Sequence, residues 1–198
     1  GYDYFRSRGL NDVDMKHFGL GFSPNSWDAL LKHLKEKGFS FEEMLMANVV
    51  SKSSRSNSYF DRFRNRIMFP IIDVRGNVIA FGGRKLPDSD DKAKYINTSD
   101  TPVYKKSHNV YALNFAKNSC ADRMVLCEGY MDVIALQKAG IHNCIAPLGT
   151  AFTEEQAQLL SRYTKEVILC FDSDDAGQKA VERAIGILSK VGLPTKII

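Results

Sequence analysis

The chain has 198 residues, 44% of them hydrophobic and 25% charged, enough to bury a core in one large domain or two small ones, which excludes disorder over most of its length. No run approaches the roughly 18 apolar residues of a membrane-spanning helix, and the start, Gly1-Tyr2-Asp3-Tyr4, has neither the basic nor the apolar stretch of a secretory signal, so the expected setting is cytoplasmic, without membrane contact. The net charge of +4 divides unevenly: residues 1–118 hold 19 Lys+Arg against 13 Asp+Glu and residues 119–198 hold 8 against 10, which suits a polyanion bound beside a metal site, although ordinary variation in surface charge gives the same split.

In chain order, the opening predicts short helices: Tyr4 to Arg8 stopped by Gly9, then Asp12 to His17 capped by Asn11, then Trp27 to Lys37 capped by Ser26 and closed by Gly38. Ser40 caps Phe41 to Ala47. Trp27, Leu30, Leu31 and Leu34 recur at helical spacing and predict one buried face. The polar stretch Ser51 to Ser58 predicts a mobile loop. Arg66 to Asp73 and Val78 to Phe81 then flank Arg75-Gly76-Asn77, a hairpin signal. Pro87 to Lys92 is an exposed acidic connection, followed by two short extended segments, Lys94-Tyr95-Ile96-Asn97 and Val103-Tyr104.

After a linking helix at Ala112 to Lys117, strands and helices alternate: strand Met124 to Cys127, helix Met131 to Lys138, strand Asn143 to Ala146, helix Thr153 to Tyr163 with Thr153 and Gln156 as a capping box, strand Val167 to Phe171, helix Ala176 to Lys190, and a last strand from Thr195. Right-handed crossovers make this a parallel sheet with helices on both faces. The fold class is therefore α/β, with a mixed α+β basic subdomain at residues 1–118 and the parallel-sheet domain at 119–198. One edge of that sheet then carries Glu128, Gly149-Thr150 and Asp172 together.

Two apolar runs end abruptly in carboxylates, Met124-Val125-Leu126-Cys127-Glu128-Gly129-Tyr130-Met131-Asp132 and Val167-Ile168-Leu169-Cys170-Phe171-Asp172-Ser173-Asp174-Asp175. Open α/β sheets build their sites at the carboxyl edge of the strands, and hard oxygen ligands placed there suit Mg²⁺. Gly129 permits a tight turn and close approach of a ligand. Asp132, about one helical turn on, faces the same region, or else serves as a first-turn dipole partner, as Glu128 alone would serve as a cap. Like charges as close as Asp172 and Asp174 need a cation or hydrogen-bond donors beside them. Asp175 is better placed as the N-cap or first-turn acid of the next helix.

The Glu-Gly strand end and the Asp-x-Asp strand end, 44 residues apart, resemble the Toprim domain shared by DnaG-type primases, topoisomerases, certain nucleases and recombination mediators. The resemblance gives Glu128 a role in proton transfer or metal binding, makes Asp172 and Asp174 Mg²⁺ ligands, and matches Asp132 to the second acid of the primase form, Glu-Gly-Tyr-Met-Asp. Asp61-Arg62-Phe63-Arg64-Asn65-Arg66, Phe81-Gly82-Gly83-Arg84, Lys94-Tyr95-Ile96-Asn97, Val103-Tyr104-Lys105-Lys106 and Val110-Tyr111 resemble the basic subdomain of bacterial DnaG primases, as do Tyr4 to Leu10 and Gly19-Leu20-Gly21-Phe22. Arg offers phosphate a fork of donors and Lys a point charge, so Arg66, Arg84, Lys94 and Lys106, with Asn97, are the candidate nucleotide and DNA contacts. Gly82-Gly83 lets a backbone come close, and Phe63, Phe81, Tyr95 and Tyr104 either stack bases or pack the sheet.

What the resemblance implies is a DNA-directed RNA polymerase that lays down short RNA primers on single-stranded DNA. It implies Mg²⁺ with Mn²⁺ able to substitute, ribonucleoside triphosphates as substrates, a monomer, and a replicative helicase contacted through a region outside this chain. The chain is expected to be a fragment, ending before a further acidic segment of the family and lacking its zinc-binding domain, so zinc is not expected. Two rivals stand beside this reading: a Toprim module that only binds DNA, and a phosphotransferase of the haloacid dehalogenase class suggested by Asp172-x-Asp174. Cys120, Cys127, Cys144 and Cys170 fall outside any Cys-x-x-Cys pair and are expected to be buried reduced thiols, and His17, His33, His108 and His142 form no ligand spacing.

Overall fold

A computed structural model describes residues 1–89, 91–119, 122–149 and 151–198, so the expectations for Cys120 and Thr150 lie outside the described residues. The chain forms two compact units, one of Gly1–Pro70 with Ala80–Val103, the other of Ile71–Ile79 with Tyr104–Ile198.

The first unit begins with α1 (Tyr2–Ser7), α2 (Asp12–His17), β1 (Gly21–Ser23), α3 (Ala29–Glu36) and α4 (Phe41–Met46). Asn11 and Asp14, then Ser40 and Glu43, exchange side-chain and backbone bonds as capping boxes, so α2 and α4 start where their caps dictate. α3 departs from expectation. It starts at Ala29, not Trp27, and its first turn is held from a distant strand: the N–H groups of Leu30 and Leu31 donate to the Asp61 carboxylate at 2.8 and 2.9 Å. Asp61 is 2% exposed, so two orphan amides and one buried charge satisfy one another. Of the four residues expected to share a buried face only Leu31 is buried, and Trp27 lies 65% exposed ahead of the helix.

β2 (Val50–Lys52) and β3 (Tyr59–Asp61) pair antiparallel with Ser51 opposite Phe60, so part of the stretch expected as a mobile loop is a strand. β4 (Arg66–Ile72), β5 (Val78–Lys85) and β6 (Tyr95–Asn97) join β1 in a sheet of order β1-β4-β5-β6. The hairpin turns where expected. Asp73 accepts from the N–H of Arg75 and of Asn77 at 2.9 Å each, which fixes the turn.

In the second unit a 3-10 turn at Lys106–His108 and α5 (Leu113–Ala116) precede β7 (Arg123–Cys127), α6 (Tyr130–Lys138), β8 (Cys144–Ile145), α7 (Glu154–Leu160), β9 (Glu166–Cys170), α8 (Asp175–Lys190) and β10 (Thr195–Ile197). The sheet runs β10-β9-β7-β8 with every pair parallel. Met124, Leu126 and Cys127 of β7 and Val167 and Leu169 of β9 are fully buried, as strands covered on both faces must be. From β7 the chain steps one way to β8, then returns across β7 to β9 and continues to β10. With right-handed crossovers, α6 lies on one face and α7 and α8 on the other, and the packing of α7 against α8 agrees. The helices leaving β7 and β9 therefore diverge, and the carboxyl ends of these two strands border the crevice where such sheets bind ligands.

Candidate active site

Adjacency of β7 and β9 brings the two acidic strand ends together. Cys127 and Cys170 are opposite one another in the parallel register, so Glu128 and the Phe171-Asp172 segment leave the sheet side by side. The Glu128 carboxyl is held above the usual carboxylate range, first by burial, then by the charge of Asp172, by that of Asp132, by a hydrogen bond shared with Asp172, and by Asp174. Asp172, Asp132 and Asp174 thus all act on the Glu128 carboxyl. Among the described residues, Glu128, Asp172 and Asp174 form no ion pair with Lys or Arg.

Two of the acids are also built into the main chain. Asp132 Oδ2 accepts from the Gly129 N–H at 3.0 Å, fixing the start of α6. Asp174 is the N-cap of α8, its Oδ1 accepting from the Gly177 N–H at 2.8 Å, so the cap is Asp174 and Asp175 is the first-turn acid. Gly129 is extended, with φ −155° and ψ −176°, a conformation open to any residue, so the tight turn expected there is not what requires glycine. Gly177 is different. A Cβ there would sit 1.9 Å from the Asp172 carbonyl oxygen, so α8 can lie against the Asp172 backbone only because residue 177 has no side chain.

No three Asp, Glu, His or Cys side chains are gathered as a formed metal cluster among the described residues. The donors nonetheless fit Mg²⁺: two neighbouring carboxyls at adjacent strand ends are what a divalent ion with several waters and substrate oxygens accepts, and Asp132 and Asp174 border them. Beneath the site, Cys127 and Cys144 are buried free thiols and Cys170 is partly buried and free, as expected for reduced cysteines. Contact with the Cys144 thiol and burial push the Cys127 thiol up.

A cavity of about 390 Å³ opens beside Glu128, walled by Phe152, Phe171 and Ala180 and by two cations of α8, Lys179 and Arg183. Neither cation was singled out in the sequence, although their spacing of four along a predicted helix was visible. Lys106, which was, sits in the 3-10 turn, where Gln156 Nε2 donates to its carbonyl at 3.1 Å and to that of Asn109 at 2.7 Å. Gln156, fully buried, thereby ties the start of α7 to that turn.

In the first unit the candidate basic residues divide. Arg66 is 4% exposed, and its guanidinium donates to the carbonyls of Gly83 and Ala93, each at 3.2 Å, and to Asp91 at 2.8 Å. It ties Gly83 of β5 to Asp91 and Ala93. Gly83 serves the same packing, since a Cβ there would lie 2.8 Å from the Phe63 ring and 3.2 Å from Arg66 Cδ. Arg84 donates to the Tyr95 hydroxyl at 3.0 Å and lies over the rings of Tyr4 and Tyr95. Lys94 is exposed, and Asn97 is half-buried at the end of β6, its carbonyl accepting from Arg62 at 3.0 Å. Phe63 and Tyr104 are buried and pack rather than stack.

The aromatic surface lies elsewhere. A polar cavity of about 550 Å³ is lined by Trp27, Arg62, Arg64, Asn65, Arg66 and Asp91, among others. The Arg64 guanidinium lies 4.1 Å from the centre of the exposed Trp27 ring, and Phe60 meets that ring edge to face at 5.6 Å. Arg62 Nε is buried without a hydrogen-bond partner among the described residues. Trp27 was missed because its helical spacing suggested a core position.

Fold and site together define an α/β protein of the Toprim class, with acids from adjacent strands meeting at a switch point. Residues 1–117 match the family described as DNA primase catalytic core, N-terminal domain, and residues 125–198 match Toprim-like; the chain belongs to the DNA primase catalytic core family. It is 45% identical over 98% of its length to a DNA primase of Clostridium acetobutylicum, of which it covers 32%. Its fold superposes on a DNA primase domain from Pseudomonas aeruginosa with TM-score 0.89 and 43% identity, covering 99% of this chain and 62% of that one. A DnaG primase catalytic domain bound to ssDNA superposes with TM-score 0.87 and 37% identity, covering 100% and 62%. The chain thus spans about a third of the length of such a curated relative.

Proposed function

We propose that the protein containing this chain is a DNA-directed RNA polymerase that synthesises short RNA primers on single-stranded DNA during replication. The observation that carries the reading is the meeting of the Glu128 and Asp172 carboxyls at adjacent strand ends, within a chain of the primase core family. The ligand set is Asp172, Asp174 and Glu128, with Asp132 beside them, for Mg²⁺ or Mn²⁺. An ion held by these residues would lower the pKa of the attacking 3′-hydroxyl and neutralise charge on the departing pyrophosphate.

The residues of the chain position and bind. Glu128, at the strand end beside Asp172, is placed either to hold the ion or to accept the hydroxyl proton at its carboxylate. The Asp174 cap and Gly177 fix the Asp172 main chain, so the ligands are pre-set rather than recruited. In the first unit, Trp27 backed by Arg64 offers a stacking platform for a template base, and Arg62, Arg84, Lys94 and Asn97 supply donors to backbone or nucleotide. Arg66 acts there by tying Gly83 to Asp91 and Ala93, and Lys106 serves nucleotide or DNA from the second unit. The relative solved with ssDNA supports a single-stranded template as ligand. We further propose that the protein works as a monomer and meets a replicative helicase through a region outside this chain.

The test is primer synthesis from ribonucleoside triphosphates on single-stranded DNA with Mg²⁺ or Mn²⁺, using the full-length protein and its Asp172→Asn variant. Synthesis that disappears in the variant supports the assignment, and a fully active variant rejects it.

A further inference from the structure

The cavity beside Glu128 has a lining that the proposed metal site does not use. Ala176, Lys179, Ala180 and Arg183 of α8 face it at spacings of three and four, one stripe of the helix. The two alanines leave the volume, and the two cations border it. Both cations are exposed, and neither forms an ion pair among the described residues. Of the acids within reach on the helix, Asp175, four residues before Lys179, forms no ion pair with it among the described residues, and Glu182, three residues beyond it, lines a different cavity with Asp172 and Ile198. A pair of like charges four apart destabilises a helix by a few tenths of a kcal/mol when nothing lies between them. Such a local conflict marks a functional surface more often than a structural one.

The same lining contains the Glu128 carboxylate, so the cavity is bipolar. A bare anion meets repulsion from Glu128, and a bare cation meets it from Lys179 and Arg183. A polyphosphate chelated to a divalent ion satisfies both, with the ion toward the carboxylates and phosphate oxygens toward the ammonium and the guanidinium fork. Cations one helical turn apart, about 5–6 Å, can each reach a different phosphoryl group of one polyphosphate chain. We propose that Lys179 and Arg183 bind the polyphosphate chain of the incoming nucleotide in this cavity. The inference rests on the polymerase reading above.

The test uses the full-length protein and its Lys179→Ala/Arg183→Ala double variant, with inorganic tripolyphosphate as the probe. Titration calorimetry with Mg²⁺ present is expected to show a tripolyphosphate affinity roughly tenfold weaker in the double variant. The KM for ribonucleotides should rise by a similar factor, while affinity for single-stranded DNA stays unchanged and Arg183→Lys falls between. Unchanged tripolyphosphate affinity and KM would overturn the proposal. So would a loss of DNA affinity with nucleotide KM intact, which would assign the cations to a strand backbone, or a lower melting temperature with both affinities intact. The binding measurement needs no polymerisation, so a wild-type protein that binds tripolyphosphate through these residues but makes no primers would sink the polymerase reading alone.

Discussion

In the first unit the Arg66 guanidinium lies buried against two carbonyls and Asp91; in the second the Glu128 and Asp172 carboxyls lie against each other with no Lys or Arg paired to either among the described residues. Three further cations of the first unit have partners from their own chain: Arg62 on Asn97 and Ser99, Arg64 on Trp27 and Phe60, Arg84 on Tyr95. Such an arrangement holds a surface in shape before a ligand arrives. In the second unit the Glu128 carboxyl instead feels the charges of Asp172, Asp132 and Asp174, a repulsion that a bound cation would relieve. A surface of the first kind is suited to binding a strand, one of the second to chemistry on it.

Charge-neutral isosteres at the acidic edge break the comparison most sharply. Asp172→Asn is expected to lower the rate of primer synthesis by roughly two to three orders of magnitude while single-stranded DNA binding is retained. Rates from single-turnover assays, beside fluorescence anisotropy on the same preparations, decide it. Equal losses in both measurements would erase the division of labour between the units.

The next effect concerns how the acids are held. Gly177→Ala forces a Cβ toward the Asp172 carbonyl oxygen, and the expected cost is about 3 kcal/mol of stability together with most of the activity. Gly186→Ala, on the same helix, meets nothing within 4 Å and should stabilise by up to about 1 kcal/mol. Denaturant unfolding of the two variants separates site geometry from helix propensity. A smaller effect follows for the first unit: Trp27→Ala should weaken single-stranded DNA binding about tenfold through lost stacking, with nucleotide KM unchanged. Unaltered affinity would remove the exposed indole from the template surface.

The contrast between the units also explains what the sequence could disclose. The alternation of apolar runs and helices after residue 122, and the carboxylates ending β7 and β9, were legible because a parallel strand buried on both faces has little choice of composition. The caps at Asn11, Ser40 and Thr153 were legible because they are local. What failed was non-local. α3 is capped by Asp61, thirty residues away along the chain, which moved the helix start past Trp27 and turned an expected core residue outward. Arg66 looked like a phosphate ligand because nothing in its neighbourhood announces Asp91 or the carbonyls of Gly83 and Ala93. Asp174 differs from these: its cap is local, one of its oxygens takes the Gly177 N–H, and it was not foreseen because the helix begins one residue earlier than its pattern suggested.

The smallest expected effect concerns Glu128 itself. Its folded-state affinity for protons is raised above the usual value, chiefly by burial and by Asp172, so the folded protein binds a proton there more tightly than the unfolded chain does. The sign follows directly: the stabilisation from that proton is fully present below the ordinary glutamate range and is lost as pH rises through the raised value. At neutral pH without divalent ions, Glu128→Gln should therefore raise the melting temperature slightly, and the gain should vanish when the pH is lowered into the acid range. Added Mg²⁺ should reverse the ranking, because an ion that neutralises the carboxylates stabilises the wild type more than the variant. Thermal melts of both proteins across pH, with and without Mg²⁺, test this, and a wild type more stable than Glu128→Gln at neutral pH in chelator would contradict the account of stored repulsion. The same melts connect the units' contrast to function: a wild type stabilised by added Mg²⁺ more than Glu128→Gln would tie carboxylates that form no ion pair among the described residues to ion binding.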